Sequence, residues 1–589
     1  MKKIKKLLIT ILCFVFSISL SSCDLFNSEL DPSTFDDYTN DIFYMVVGAD
    51  ELTNNFLFKN PENYGLPKIG ELMLPVPTTN SAIGNFIIKQ VFKDLYKYDY
   101  NKLSFDQQMT YNVLDNLYKN IMNETDEMTY LGSNYLGSYL GYQAQLPLLF
   151  SEYKFDDVYD VYNYFGLIDL VPETFESYVN FEIEKAEEGY GMPDFVIDKV
   201  INQCKEFIDD VDNHFLIKTF EDRIKNLDLT GYDTTKEDLI QENYEKVTGP
   251  LKEGYEYIKN NLGQLYGKAT NNLGLYYYKE GQEYYTKLFK DETGYDVDIE
   301  DAITYIDKKL NFSYNELQSF VKNNPDILDE IESSSLMNTT PEEQINNFIE
   351  ISKGIFPTIE SYPTINIKYI DKSIENHFSP AAYLNSRIDD YSNEYIYLNN
   401  ASIDGDYNYL FHTLAHEGIP GHLYQNVYFK TQNANILRKI IKSSGYTEGW
   451  ATYVEMYSFS FCDEEHKDLA EYIKLDNLFY GSLQCRLDMG IHYEGWDAND
   501  ILEFISKYLP GYSLEHAQAV LEQLIEVPTN SQIYFFTYFK IQDMYDRTKL
   551  ALGDNFSELE FHQLILDCGP VPLRFVETIV DEYINKKIN

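Results

Sequence analysis

The chain has 589 residues, 44% of them hydrophobic, enough to bury a large core as two lobes or one big domain. Its formal net charge of −48 argues against nucleic acid or an anionic lipid surface as partner. Its six cysteines show no Cys-x-x-Cys spacing.

Lys2, Lys3, Lys5 and Lys6 form a positive start, and Leu7 to Leu20 is an apolar run too short to span a membrane comfortably. The run ends Leu20-Ser21-Ser22-Cys23, which resembles the bacterial lipobox. Residues 1–23 are therefore expected to be a lipoprotein signal peptide. Cleavage would leave a lipidated Cys23 that tethers the mature chain to the outer side of the cell membrane, its only membrane contact. Cys13 leaves with the signal. Cys204, Cys462, Cys485 and Cys568 read as packed thiols, with room for a disulfide that sequence cannot pair. No second hydrophobic stretch approaches spanning length.

Residues 24–360 read as helix after helix. Ser104-x-x-Gln107 is a capping box ahead of the stripe Phe105, Met109, Val113, Leu114, Leu117 and Ile121. Pro193-Asp194 opens a second stripe, Val196, Val200, Ile201, Cys204, Phe207 and Ile208. Thr234-x-x-Glu237, Ser313-x-x-Glu316 and Thr340-Pro341-x-Glu343 announce further helices. Gly132, Gly137 and Gly141 suggest close helix packing, and Tyr284 and Tyr285 read as core. From Thr364 the pattern changes. Thr364 to Ile370 alternates with period two, and Ala381–Leu384 and Glu394–Leu398 are two more short strand candidates. A small sheet thus precedes the most informative stretch, in residues 361–589.

That stretch is His412-Thr-Leu-Ala-His416-Glu417-Gly-Ile-Pro420-Gly421-His422. Imidazoles suit zinc, and a carboxylate beside the metal can take a proton from water. His416 and His422 are six residues apart, which leaves them about 120° apart on a regular helix. Pro420 would clash with the carbonyl of His416, so a kink or bulge is expected between them. His412 with His416 is the rival pair, at regular i,i+4 spacing.

His-Glu-x-x-Pro-Gly-His followed by Gln425, then Glu448-Gly-Trp-Ala-Thr-Tyr-Val-Glu455, resembles the DUF885 family of zinc metallopeptidase-like proteins. The resemblance implies a mainly α, multi-helix zincin-like fold with a small β-sheet beside the metal helix. It runs through most of the mature chain as one continuous domain. It makes His416, His422 and Glu448 the zinc ligands and Glu417 the general base. Glu448 and Glu455, seven apart, are about 700° or nearly two turns apart and face the same way. Glu455 is expected to hold a ligand imidazole by its other N–H. Arg486-Leu-Asp488-Met-Gly-Ile-His492 resembles another family segment, with His492 and Tyr493 as candidate oxyanion donors. Tyr534, Tyr538 and Arg547 lie on a later helix, where the family tends to have glycine near Tyr538. Ser557-x-x-Glu560 caps another helix, ended by Cys568-Gly569-Pro570, with His562 read as structural.

The implied activity is zinc-dependent hydrolysis of peptide bonds outside the cytoplasmic membrane, with an extended peptide paired along the sheet edge. The alternatives are a zinc amidase acting on cell-wall or small-molecule amides, and a non-catalytic binding lipoprotein of the same fold.

Overall fold

The computed structural model describes residues 29–48, 50–77, 88–370, 372, 375, 379–403 and 405–589. Cys13, Cys23 and the rest of the expected signal segment lie outside them. The fold is mainly helical, 68% helix, with one small sheet among the described residues.

An N-terminal helical mass is built around the Val171–Glu187, Asp194–Asp209 and Lys252–Asn261 helices, the last of which packs on both of the others. Their apolar stripes (Phe175, Val179; Val196, Val200, Cys204; Tyr255, Ile258) are all buried in one cluster. A larger cluster draws on both sides of residue 360, from Tyr285 and Phe348 to Trp450 and Val580. The long Ile299–Asn323 helix lies along Lys467–Met489 and forms much of its frame.

Local signals set the helix ends. Ser104 and Gln107 cap each other at the start of Phe105–Met122. Thr340 and Glu343 do so at Pro341–Ser352, where Pro341 takes the first helical position. Such a cap stabilises by about 1 kcal/mol. It fixes a helix whose buried Ile345 and Phe348 pack toward the His416 helix, Phe348 meeting Phe411 at 5.2 Å between ring centroids. Two other expected starts differ. The 236–246 helix is capped by Thr235 with Asp238, not Thr234 with Glu237, because Asp238 reaches back to the Thr235 N–H at 3.0 Å. Ser313 starts nothing. It sits inside Ile299–Asn323 with its hydroxyl donating to the Lys309 carbonyl at 2.9 Å, since the buried stripe Ile306, Leu310, Leu317 continues through it. Of the three glycines read as helix packing, Gly132 ends a helix against Tyr284, whereas Gly137 and Gly141 approach each other in a turn.

The sheet holds three strands: β1 (Thr364–Tyr369), β2 (Ala381–Tyr383) and β3 (Asn393–Leu398), in the order β1-β3-β2. β1 runs parallel to β3 and β2 antiparallel to it. Strand alternation separates two faces. Ile367, Ile396 and Tyr383 align across the three strands and join the larger core. Lys368, Tyr397 and Ala382 align on the other face, where the Tyr397 hydroxyl donates to Glu152 of the N-terminal mass at 2.6 Å. The four described cysteines are free thiols, three of them buried. Among the described residues no helix is long and apolar enough to cross a membrane.

Candidate metal centre

His416 is the penultimate residue of the Tyr407–Glu417 helix, and His422 opens the next helix, His422–Thr431. The kink expected from Pro420 is thus a full break. A Cβ at Gly421 would collide with the His416 carbonyl, so only glycine lets the chain turn back beneath the helix end. The break brings the two imidazoles to 4.7 Å between centroids, with ring planes at 86°. Glu448 comes from the Ser444–Ser458 helix, tied to the same break by the Trp450 Nε1–H, which donates to the Pro420 carbonyl at 2.9 Å. Trp450 is fully buried, so this bond satisfies an indole N–H that would otherwise be costly to bury.

The donor atoms of His416, His422 and Glu448 all lie within 4.8 Å of one another, a group able to hold a metal ion. Glu448 Oε2 is 3.2 Å from His422 Nε2 and 3.6 Å from His416 Nε2. Neither contact has hydrogen-bond geometry, which leaves Glu448 Oε2 a buried acceptor without a partner. Atoms bound tetrahedrally at about 2.1 Å from one cation sit about 3.4 Å apart. Both spacings bracket that value, so the residues fit a divalent cation with an N₂O donor set.

The other ring nitrogen of His416 is held from outside. His416 Nδ1 is 2.8 Å from Glu455 Oε2, and His412 Nδ1 is 2.7 Å from Glu455 Oε1. His412 is outside the three-residue donor group and shares the carboxylate that orients His416. Burial alone would disfavour every charge here, yet mutual attraction prevails. Despite burial, His422 and His416 hold the Glu448 carboxyl well below the usual carboxylate range. Despite burial, the facing Glu448 carboxylate, the contact with Glu455 and the charges of Glu455 and Glu417 raise His416 well above an ordinary imidazole.

Glu417 points from the helix end toward the sheet, where the Tyr383 N–H of β2 donates to its Oε2 at 2.7 Å. Tyr383 is itself anchored: its hydroxyl donates to Glu394 at 2.9 Å and accepts from Asn426 Nδ2 at 2.6 Å. Sequence reasoning missed this amide. Period-two alternation locates a strand edge, but nothing in it names a partner 34 residues away. The Tyr534 ring stacks on His416 at 6.1 Å between centroids, in a π-helical turn, Gln532–Phe536. Burial, then the charges of Glu448 and Glu417, raise its phenol so far that the hydroxyl stays protonated.

His492, the expected oxyanion donor, is enclosed by backbone. It is fully buried, Nδ1 accepts the Leu275 N–H at 3.2 Å, and Nε2 meets the Leu524 carbonyl at 3.0 Å. Both nitrogens are committed to backbone and no N–H is left for a substrate. Tyr493 donates to Glu300 at 2.5 Å. Tyr538 is buried core, and Arg547 pairs with Glu577 and Asp581. His562 is structural as expected, fully buried between the Ile355 carbonyl at 2.8 Å and the Tyr453 hydroxyl at 2.9 Å.

The fold is shared with solved structures. One, described as "the putative lipoprotein from Colwellia psychrerythraea", aligns with a TM-score of 0.77 at 16% identity, over 94% of this chain and 99% of its own. Another, "a putative lipoprotein of unknown function from Shewanella oneidensis", aligns with a TM-score of 0.61 at 13% identity, over 93% and 99%. No curated protein matches the sequence. The family model described as "Bacterial protein of unknown function (DUF885)" matches residues 85–580, and the chain belongs to that family.

Proposed function

We propose that the protein is a zinc-dependent hydrolase that cleaves peptide bonds. The observation that carries this reading is the unpartnered Glu448 Oε2 facing His416 and His422, with Glu417 adjoining His416 in the chain. His416, His422 and Glu448 would hold the metal, and Glu455 would fix the His416 ring through its other nitrogen. A bound zinc would supply Lewis-acid polarisation of the scissile carbonyl and of water. Glu417, steadied by the Tyr383 N–H, takes the proton of the attacking water and passes it to the leaving amine. The Tyr534 hydroxyl, kept protonated by burial and its carboxylate neighbours, donates to the oxyanion that develops on the carbonyl oxygen. An extended substrate would pair with the outer edge of β2, the strand that presents Tyr383 to Glu417. The Leu20–Cys23 lipobox supports action at the outer face of the cell membrane, on a lipid anchor.

The test is metal analysis of the soluble form beginning after Cys23, joined to a peptide-library cleavage screen. About one zinc per chain with Glu417-dependent cleavage is expected. Cleavage of cell-wall or small-molecule amides with peptides left intact would replace the peptidase reading with the amidase. Zinc without any cleavage would make the protein a binding lipoprotein.

A further inference from the structure

The sheet face opposite the metal helices borders a second cavity. It has a volume of about 420 Å³ and lies between Lys368 and Tyr397 of the sheet and residues Glu152, Lys154 and Arg223 of the N-terminal mass. In a chain with 47 basic and 95 acidic side chains, three cations and one carboxylate around one cavity are a local reversal of charge. That carboxylate is already engaged. Glu152 Oε2 accepts the Tyr397 hydroxyl at 2.6 Å and faces Lys154 Nζ at 3.4 Å. Arg223 and Lys368 remain without an anionic partner at salt-bridge distance among the described residues. Arg223 lies deep. Its Nη2 donates to the Tyr153 carbonyl at 2.8 Å, and its guanidinium stacks on Phe155 at 4.1 Å. Its Nη1 is buried and makes no hydrogen bond, while the neighbouring Tyr164 hydroxyl donates to Asn243 Oδ1 at 3.1 Å. A buried charged donor without an acceptor is expensive to keep. Lys368 sits nearer solvent over the Tyr395 ring at 3.9 Å, with its Nζ 3.2 Å from the Tyr397 hydroxyl. Partial desolvation lowers its pKa, the Glu152 charge raises it, and Lys154 and Arg223 lower it further, which places the three cations and the one carboxylate within one another's field.

We infer that the cavity between Arg223 and Lys368 binds a small organic anion, a carboxylate or phosphate monoester with an apolar body. The anionic end meets the exposed Lys368 ammonium, with the Arg223 guanidinium behind it adding positive charge, and the body lies against Phe155 and Phe215. An ammonium suits an oxyanion through charge-assisted hydrogen bonds. The volume is within the usual range for a small-molecule site. The site is separate in residues from the His416–His422–Glu448 group and does not rest on the hydrolase reading.

The test is calorimetric titration of the purified protein at low salt with benzoate, phenyl phosphate and the neutral benzyl alcohol. One saturable site per chain for at least one anion, and none for the alcohol, is expected; the tighter anion identifies the headgroup. Lys368→Met and Arg223→Gln should each weaken that binding by about tenfold or more. Glu448→Ala should leave it unchanged, which separates this cavity from the metal centre. Lys368 is exposed on β1, so its variant reports even if Arg223→Gln does not fold. Anion binding that both cavity variants leave intact, that Glu448→Ala abolishes, or that is absent altogether would overturn the assignment.

Discussion

Glu455 grips His416: its Oε2 lies 2.8 Å from the ring's Nδ1, which turns Nε2 toward Glu448. The same carboxylate spends its other oxygen on His412 at 2.7 Å. A residue two helical turns beyond Glu448 thereby sets the orientation of an imidazole from a different helix.

Glu455→Ala should cost about 10- to 100-fold in metal affinity or activity, as the loss of such an orienting partner does. Glu448→Ala should strip the metal altogether. Zinc titration of the two variants separates the roles; equal and complete loss in both would mean that Glu455 is itself a ligand.

Glu417→Gln keeps size and the contact with the Tyr383 N–H but removes the basic carboxylate. Zinc should stay near one per chain while turnover falls by about 10²–10⁴. Steady-state kinetics on a peptide substrate, with metal content measured in the same sample, is the check. Turnover within a few-fold of wild type would remove Glu417 from the chemistry.

Tyr534→Phe removes one hydroxyl from a ring that stacks on His416. A fall in kcat of about 10²–10³ with little change in KM is expected for a donor used only in the transition state. His492→Leu should instead leave kcat nearly unchanged and lower stability, since it strands the Leu275 N–H and the Leu524 carbonyl. The opposite pattern would restore His492 as the donor.

His562 gives the fold a pH dependence of its own. Burial lowers its pKa to about 4, against about 6.5 for an unfolded histidine. The unfolded chain therefore binds the extra proton first, and stability falls as pH drops from about 6.5 through 4. The difference corresponds to about 3 kcal/mol. Denaturant titrations between pH 7 and pH 4 should show this loss in the wild type and a flatter profile in His562→Gln. Parallel profiles would mean that His562 is not held neutral.

Much of this was legible in sequence because it is local. The capping residues of the 105–122 and 341–352 helices, the three short strands and the break at Pro420-Gly421 all follow from neighbouring residues. Ser313 shows the limit: a capping pattern inside a longer buried stripe yields to the stripe. The site was legible as far as its motifs extend, through His416, Glu417, His422, Glu448 and Glu455. What sequence did not reveal depends on contacts between distant segments. The Tyr383 amide reaches Glu417 from a strand, Tyr534 reaches His416 from a π-turn, and His492 is closed off by Leu275 and Leu524.

The most direct test compares zinc content in the wild type, His422→Ala and His412→Ala, purified side by side. The donor group requires His422, whose ring faces Glu448 Oε2 at 3.2 Å, and uses His412 only through Glu455. About one zinc per chain is expected in the wild type and in His412→Ala, and none in His422→Ala. Zinc retained in His422→Ala and lost from His412→Ala would contradict the site and make the regular i,i+4 histidines the ligands.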